Sequence, residues 1–502
     1  LLTPFILPAA IPPEQVDFLY SFAHCVPNCE TKGLGIKLDR NKITKRETIL
    51  NIPQKPDINK LLRIKKLSVH IKRIDMDLHA FFNNEVKPAL GCTEPGAVAF
   101  AASSGASYLA GPPRHIHLRL SANIYKNGQS VGIPGTSGLR GNLLAAALGA
   151  LGGNPEKGLL SLEDIDEKCI AQATEMLEAG SLTQEVVHDA PNVYAEVELI
   201  RQGESVTAVV AHAHDNLIEV TRNKQTVYEG QECESGSGRL PQYINELMKL
   251  NFNDLWDLAG QISSEDEAFL LKGVEMNLNI AKEGLEKPWG LGSGFVVYED
   301  IQNKDLGQTI RAWSAAAADV RMDGGQWPVM SSAGSGNHGL TAIIPPALAA
   351  KAWGKSDREL AEAIALSHLV TGAVKAKTGR LTPVCGCSIA AGAGAAAALT
   401  RLAGGTPDQA EQASAYVLSS LMGMVCDGAK GTCALKVGTA SGEAYQAMKL
   451  ATSGRKLTSQ QGIIGPDFRN NTTAVGELSG VGFAAVDAVI LRLLDRPSSP
   501  AA

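Results

Sequence analysis

The chain has 502 residues, 44% hydrophobic and 20% charged, a composition that supports a substantial core and two or three domains. A formal net charge of -6 argues against a dedicated nucleic-acid binder, whose footprint is a basic face. No run of about 18 strongly apolar residues is present, so no membrane span is predicted.

In chain order, the first seventy-odd residues stand apart. Asp39 to Lys72 is rich in Lys and Arg and carries no sustained period. Residues 1–75 are therefore expected to be a leader outside the fold, with the natural start at or near Met76. From Asp77, the residues Leu78, Phe81, Phe82 and Val86 recur at helical spacing until Pro88 breaks the pattern. A small-residue helix is predicted over Gly91 to Leu109, and a strand over His115 to Leu120. The Gly/Ser/Thr loop Gly132 to Arg140 feeds a helix from Asn142, and another helix is predicted over Leu162 to Ala179. Val193 to Ile200, Val206 to Ala211 and Leu217 to Tyr228 alternate with the period of antiparallel strands. Beyond Leu240 the pattern is almost wholly helical, interrupted by Gly-rich loops at Asp323 to Gly339, Thr382 to Cys387 and Cys426 to Cys433. Ser388 to Leu399 is apolar but mostly Ala and Gly, and reads as a buried helix.

The expected fold class is mixed α/β of the α+β kind. A helix-rich domain of residues 76–107 and 233–498 would hold the cysteine loops. A smaller α+β domain with antiparallel strands would span residues 108–232, with the active site between the two.

Three loops carry the chemistry. Leu90-Gly91-Cys92-Thr93-Glu94-Pro95, Val384-Cys385-Gly386-Cys387-Ser388 and Cys426-Asp427-Gly428-Ala429-Lys430-Gly431-Thr432-Cys433 each put a cysteine in a Gly- or Pro-bounded turn at the lip of a small-residue helix. Backbone N–H groups and the positive helix end favour a thiolate there. One such cysteine is most often an inert buried thiol. Three, in a chain without a signal-peptide pattern, point to a metal or redox site built from distant segments. Zinc competes, but the spacing of Cys385 and Cys387 is not that of a zinc knuckle.

Two further Gly-rich loops are candidate substrate cradles. In Gly132 to Asn142, Thr136, Ser137 and Arg140 suit a carboxylate at a helix start. In Ser331 to Gly339, Asn337 is the matching polar residue, and His338 sits in a Gly-flanked turn. His214, in His212-Ala213-His214-Asp215 and expected at a strand start, is a second candidate base. Lys430 would orient substrate or lower a thiolate pKa. Against each stands the plainer reading of a helix cap, a satisfied histidine or a solvated lysine.

Ala89-Leu90-Gly91-Cys92-Thr93-Glu94-Pro95, Gly334-Ser335-Gly336-Asn337-His338-Gly339, Cys385-Gly386-Cys387 and Val425-Cys426-Asp427-Gly428-Ala429-Lys430 together resemble the L-cysteine desulfidase family. That family is related to the alpha chain of iron–sulfur L-serine dehydratases. The resemblance runs from about Asp77 to about Asp495. It implies a 4Fe–4S cluster on three cysteines, with one iron left open for substrate. It also implies β-elimination of L-cysteine to pyruvate, ammonia and hydrogen sulfide. Under it Cys92 matches the early ligand and Cys426 the late one, while the middle ligand falls on Cys385 or Cys387. Cys433 follows at a shorter interval than its counterparts, which leaves its role open. The implied enzyme is a cytoplasmic lyase for a small amino acid, with no nucleic-acid or membrane partner and compatible with a homo-oligomer. An L-serine dehydratase with the same cluster and a non-catalytic iron–sulfur sensor are the alternatives.

Overall fold

The computed structural model describes residues 76–136, 138–230, 240–301, 305–379 and 381–494. The expectations for residues 1–75 and for Ser137 lie outside them. The fold is mixed α/β, with one six-stranded sheet and an extensive set of Ala-rich helices.

We number the strands of the large sheet β1 (His115–Ser121), β2 (Leu182–Val187), β3 (Tyr194–Arg201), β4 (Glu204–Ala211), β5 (Leu217–Arg222) and β6 (Gln225–Glu229). Their spatial order is β2-β1-β3-β4-β5-β6, with β1 and β2 parallel and the other neighbours antiparallel. The parallel strand β2 was not legible as alternation: its burial runs irregularly at the sheet edge. The expected single strand over Leu217 to Tyr228 is a hairpin. Asn223 and Lys224 both take positive φ, 48° and 67°, the conformation of the tight turns that match strand twist.

Apolar contacts divide into two large clusters. One gathers Ile116, Leu118 and Leu120 of β1 with Val197, Val206 and the helices Thr93–Ala106 and Asn142–Gly152. The expected boundary at residue 107 falls after the helix Thr93–Ala106, yet that helix packs on the sheet: a Cβ added at Gly105 would lie 3.3 Å from Ala208 and Leu199. The other cluster runs from Phe81 and Phe82 through the C-terminal helices. Small residues set the spacing there. A Cβ at Gly294 would meet the backbone of Ala316 at 2.1 Å, and one at Gly394 would meet Ser367 O at 2.3 Å. Such close approach multiplies weak dispersion contacts where aromatic bulk is scarce. Ser388 to Leu399 is buried among these helices, as its composition predicts. No single helix among the described residues is long and apolar enough to cross a membrane.

Candidate active site

Gly91 takes φ 66°, and a Cβ on it would strike Pro134 at 2.5 Å. This turn delivers Cys92 to the N-cap of the helix Thr93–Ala106, with its side chain buried. Cys385 and Cys426 are stitched together from the other side. Cys385 N donates to Met424 O at 2.8 Å, and Cys426 N donates to Pro383 O at 2.7 Å, around a bridge between Val384 and Val425. Cys387 opens a short π-helical turn, and Cys433 opens the helix Cys433–Thr452. Cys92 and Met322 share a small apolar cluster with Val131, against which Ala429 and Cys433 pack. All five cysteines line one cavity.

The sequence-predicted residues divide sharply over this cavity. Cys92, Cys385, Cys387, Cys426, His214, Asn337 and His338 line it, whereas Lys430, Thr136 and Arg140 do not. Lys430 Nζ lies 2.6 Å from Asp427 and donates to Gly428 O at 3.0 Å, so its ammonium shapes its own loop. Thr136 Oγ1 donates to Ile133 O at 2.7 Å within its own turn. Arg140 is bound to Asp323 at 2.6 Å and to Ser130 O at 2.9 Å. His214 follows the end of β4 at Ala211 instead of starting a strand, in the turn before β5.

The electrostatics separate the cysteines. Burial and the Glu94 carboxylate push the Cys92 thiol well above its usual range. Its Sγ donates to Glu94 Oε2 at 2.8 Å. Burial raises the Cys426 and Cys433 thiols as well. Cys387 hydrogen-bonds to Cys385, which pulls the Cys385 thiol down and pushes the Cys387 thiol up. Without a cation most of these buried sulfurs stay protonated. A metal supplies the charge that ionises them, which is the ordinary coupling between thiolate ligation and metal binding.

His338 is buried, and its Nδ1 lies 3.1 Å from Ser332 O, which fixes Nδ1–H as the donor. Nε2 then carries the lone pair. It faces the middle cysteine loop: a Cβ added to Gly386 would lie 2.4 Å from it. Burial, then the charges of Lys375 and Arg321, hold this imidazole down to about 3, so it is neutral near pH 7. Ser332 Oγ is in turn bonded to His368 Nδ1 at 2.8 Å, behind the cavity wall.

Sequence reasoning missed Arg321 and Glu94. Arg321 is 2% exposed at the end of the helix Leu306–Met322 and lines the cavity. The signal was an Arg at the end of an Ala-rich helix, between Asp319 and Asp323 and just before a Gly-rich loop. Glu94 lay in a quoted motif, but its role is visible only in three dimensions. It accepts from Cys92, from Thr93 at 3.0 Å and from Asn127 at 2.9 Å. Burial alone would raise this carboxyl. The neighbouring His214 and the hydrogen bonds from Cys92 and Thr93 outweigh it and hold it below the usual carboxylate range.

Among the described residues no group of three or more His, Cys, Asp or Glu converges on a single metal ion. A cluster has a different requirement. Each thiolate holds a different iron, so the sulfurs stand around the rim of a cavity and do not meet at one point. Cysteines on separate walls of one cavity fit that donor pattern, and soft thiolates are the ligands iron–sulfur clusters take.

Residues 156–492 match the family described as serine dehydratase alpha chain. The chain is 57% identical over 444 residues to a UPF0597 protein of Nitratidesulfovibrio vulgaris strain Miyazaki F, covering 84% of this chain and 99% of that one. It is 39% identical over 420 residues to a UPF0597 protein of Desulfotalea psychrophila, covering 82% of this chain and 96% of the relative. A Clostridium botulinum UPF0597 protein is 36% identical over 426 residues, covering 84% and 97%.

Proposed function

The chain belongs to the serine dehydratase alpha chain family, and on that premise we propose that it is an iron–sulfur lyase that eliminates hydrogen sulfide from L-cysteine. The observation that carries the reading is one cavity lined by Cys92, Cys385, Cys387, Cys426 and a neutral His338 whose Nε2 lies against the loop at Gly386. Cys92, Cys426 and one of Cys385 and Cys387 would hold a 4Fe–4S cluster. When bound, such a cluster with an open iron supplies a Lewis acid that stabilises charge on the leaving heteroatom.

The chain's own residues do the rest. Ser332 O holds the His338 ring by its Nδ1–H and leaves Nε2 to accept the α-proton of the substrate. The electrons of the Cα–H bond then form the Cα–Cβ double bond, and the Cβ–S bond breaks with the pair staying on sulfur. The aminoacrylate released becomes pyruvate and ammonia by tautomerisation and hydrolysis. His214, which lines the same cavity beside Glu94, is the second candidate for proton transfer. Held neutral at pH 7, His338 is wholly in its accepting form, while its lowered basicity weakens the pull on the α-proton.

The family description favours a second reading, in which the same site removes water from L-serine. Anaerobic purification, iron and acid-labile sulfide analysis, and assays with both amino acids decide between them. Pyruvate with stoichiometric sulfide from L-cysteine is the expected result. Pyruvate from L-serine alone assigns the dehydratase. An iron-loaded protein that converts neither overturns both.

A further inference from the structure

The guanidinium of Arg321 stands in an arrangement that its own neighbours leave unbalanced. Nη1 donates to Asn337 Oδ1 at 3.0 Å. Among the described residues, Nε and Nη2 have no hydrogen-bond partner, although both are buried. They press against the start of the helix Gly336–Trp353: a Cβ built on Gly336 would lie 2.4 Å from Nε and 2.7 Å from Nη2. That helix is capped by Ser335 without a side-chain hydrogen bond. Its first N–H groups and its positive dipole end therefore meet a positive side chain. Two like charges are held together out of water, with donors left over, and an anion bound beside both removes the conflict. The cavity that Arg321 lines opens onto this point.

We propose that Arg321, with Asn337 and the N-terminus of the helix Gly336–Trp353, binds the α-carboxylate of the amino-acid substrate. This rests on the β-elimination reading for the identity of the substrate, but the anion site itself does not. The fork of Nε–H and Nη2–H matches two carboxylate oxygens, which an ammonium cannot do. Asn337 holds the fork in orientation through Nη1. His338 is the next residue on the same helical turn. A carboxylate fixed here presents the α-carbon to the residue proposed as base, so binding and proton removal share one rigid element.

The test uses anaerobically purified, iron-loaded protein. Pyruvate serves as a carboxylate that does not react, and acetone as its counterpart without the carboxylate. Calorimetry on the wild type should show pyruvate bound and acetone not. R321Q should keep its iron and visible absorption and lose pyruvate affinity on the order of 100-fold. The KM for L-cysteine should rise by a similar factor, with a smaller change in kcat. R321K keeps the charge and loses the fork, and should weaken binding about tenfold. If R321Q does not fold, R321K carries the test.

Wild-type-like pyruvate affinity in whichever variant folds overturns the proposal, as does a wild type that binds the two ketones equally. Loss of iron in R321Q with pyruvate affinity unchanged assigns the guanidinium to the cluster and also overturns it. If Arg321 governs pyruvate binding but neither L-cysteine nor L-serine is converted, the anion site stands and the β-elimination reading fails.

Discussion

Two glycine-rich loops, 132–142 and 331–339, look alike as strings: each mixes Gly with Ser or Thr and feeds a helix. In space they do opposite things. In the first, Gly132 gives room to the backbone of a distant segment at Asp323 and Gly324. A Cβ at Gly132 would meet Asp323 C at 2.4 Å, and one at Gly324 would meet Ile133 O at 2.7 Å. The cation of this loop, Arg140, is spent on Asp323. In the second loop, Gly336 gives room to a charged side chain, and the cation there keeps two donors unspent. Gly-rich sequence before a helix therefore marks close approach, and what approaches decides whether the loop is structural or a site.

The largest expected effect tests whether the cavity beside the second loop is the site at all. Cys92→Ala and Cys426→Ala should each abolish the brown chromophore, the bound iron and turnover together. Cys385→Ala and Cys387→Ala should differ, one as severe as these and one mild. Iron and sulfide analysis beside the visible spectrum checks all four. Full iron content in the Cys92 or Cys426 variant would sink the ligand assignment.

Next comes the residue through which the second loop would act. His338→Gln should lower kcat about a thousandfold, within the range for loss of a general base, while leaving iron content intact. Because burial and Lys375 hold His338 down to about 3, wild-type kcat should show no acid limb near pH 6.5 from this group. A kcat reduced less than tenfold removes His338 from the proton transfer and moves attention to His214.

A smaller effect should appear in stability, behind the same loop. His368 is fully enclosed, touches Phe82 edge-on and bonds to Ser332 Oγ. Burial holds its imidazole down to about 3. Above its ordinary value of about 6.5 it is neutral in both folded and unfolded chains and contributes no pH dependence. Below that, the unfolded chain takes up a proton that the folded chain refuses, so stability falls with pH until about 3. From pH 6.5 to pH 5 the loss for this one group should be about 2 kcal/mol. Urea unfolding of wild type and His368→Gln at both pH values reads it as the difference between the two pH-dependent losses. Equal losses would mean the buried ring titrates in the folded protein.

How much of this was legible follows from what each feature depends on. The first helix was readable because Leu78, Phe81, Phe82 and Val86 repeat at a local period, and three strands because alternation is local. Strand β2 was not, since an edge strand paired in parallel lacks clean alternation. The cysteines were readable because thiols in Gly-bounded turns are rare. Arg321 was not, because its meaning lies in what fails to pair with it, and pairing is a property of the folded chain. Arg140 misled for the same reason: the carboxylate that takes it, Asp323, lies 183 residues further along.

The smallest expected effect is therefore the sharpest test of the comparison. Arg140 is bound to Asp323 at 2.6 Å, but its side chain is 40% exposed, so water and salt screen the pair. Removing it leaves Asp323 still accepting from Gly290 N at 3.2 Å, so no buried charge is stranded. Arg140→Ala should cost about 1 kcal/mol of stability or less. It should leave kcat and the KM for L-cysteine within about twofold, because a surface change away from a site seldom moves more. Thermal unfolding and steady-state kinetics measured beside R321Q give the contrast directly. A tenfold rise in KM on losing Arg140 would place the carboxylate cradle on the first loop after all. It would also mean that the ion pair with Asp323 opens when substrate arrives, returning to the first loop the role the geometry gives to the second.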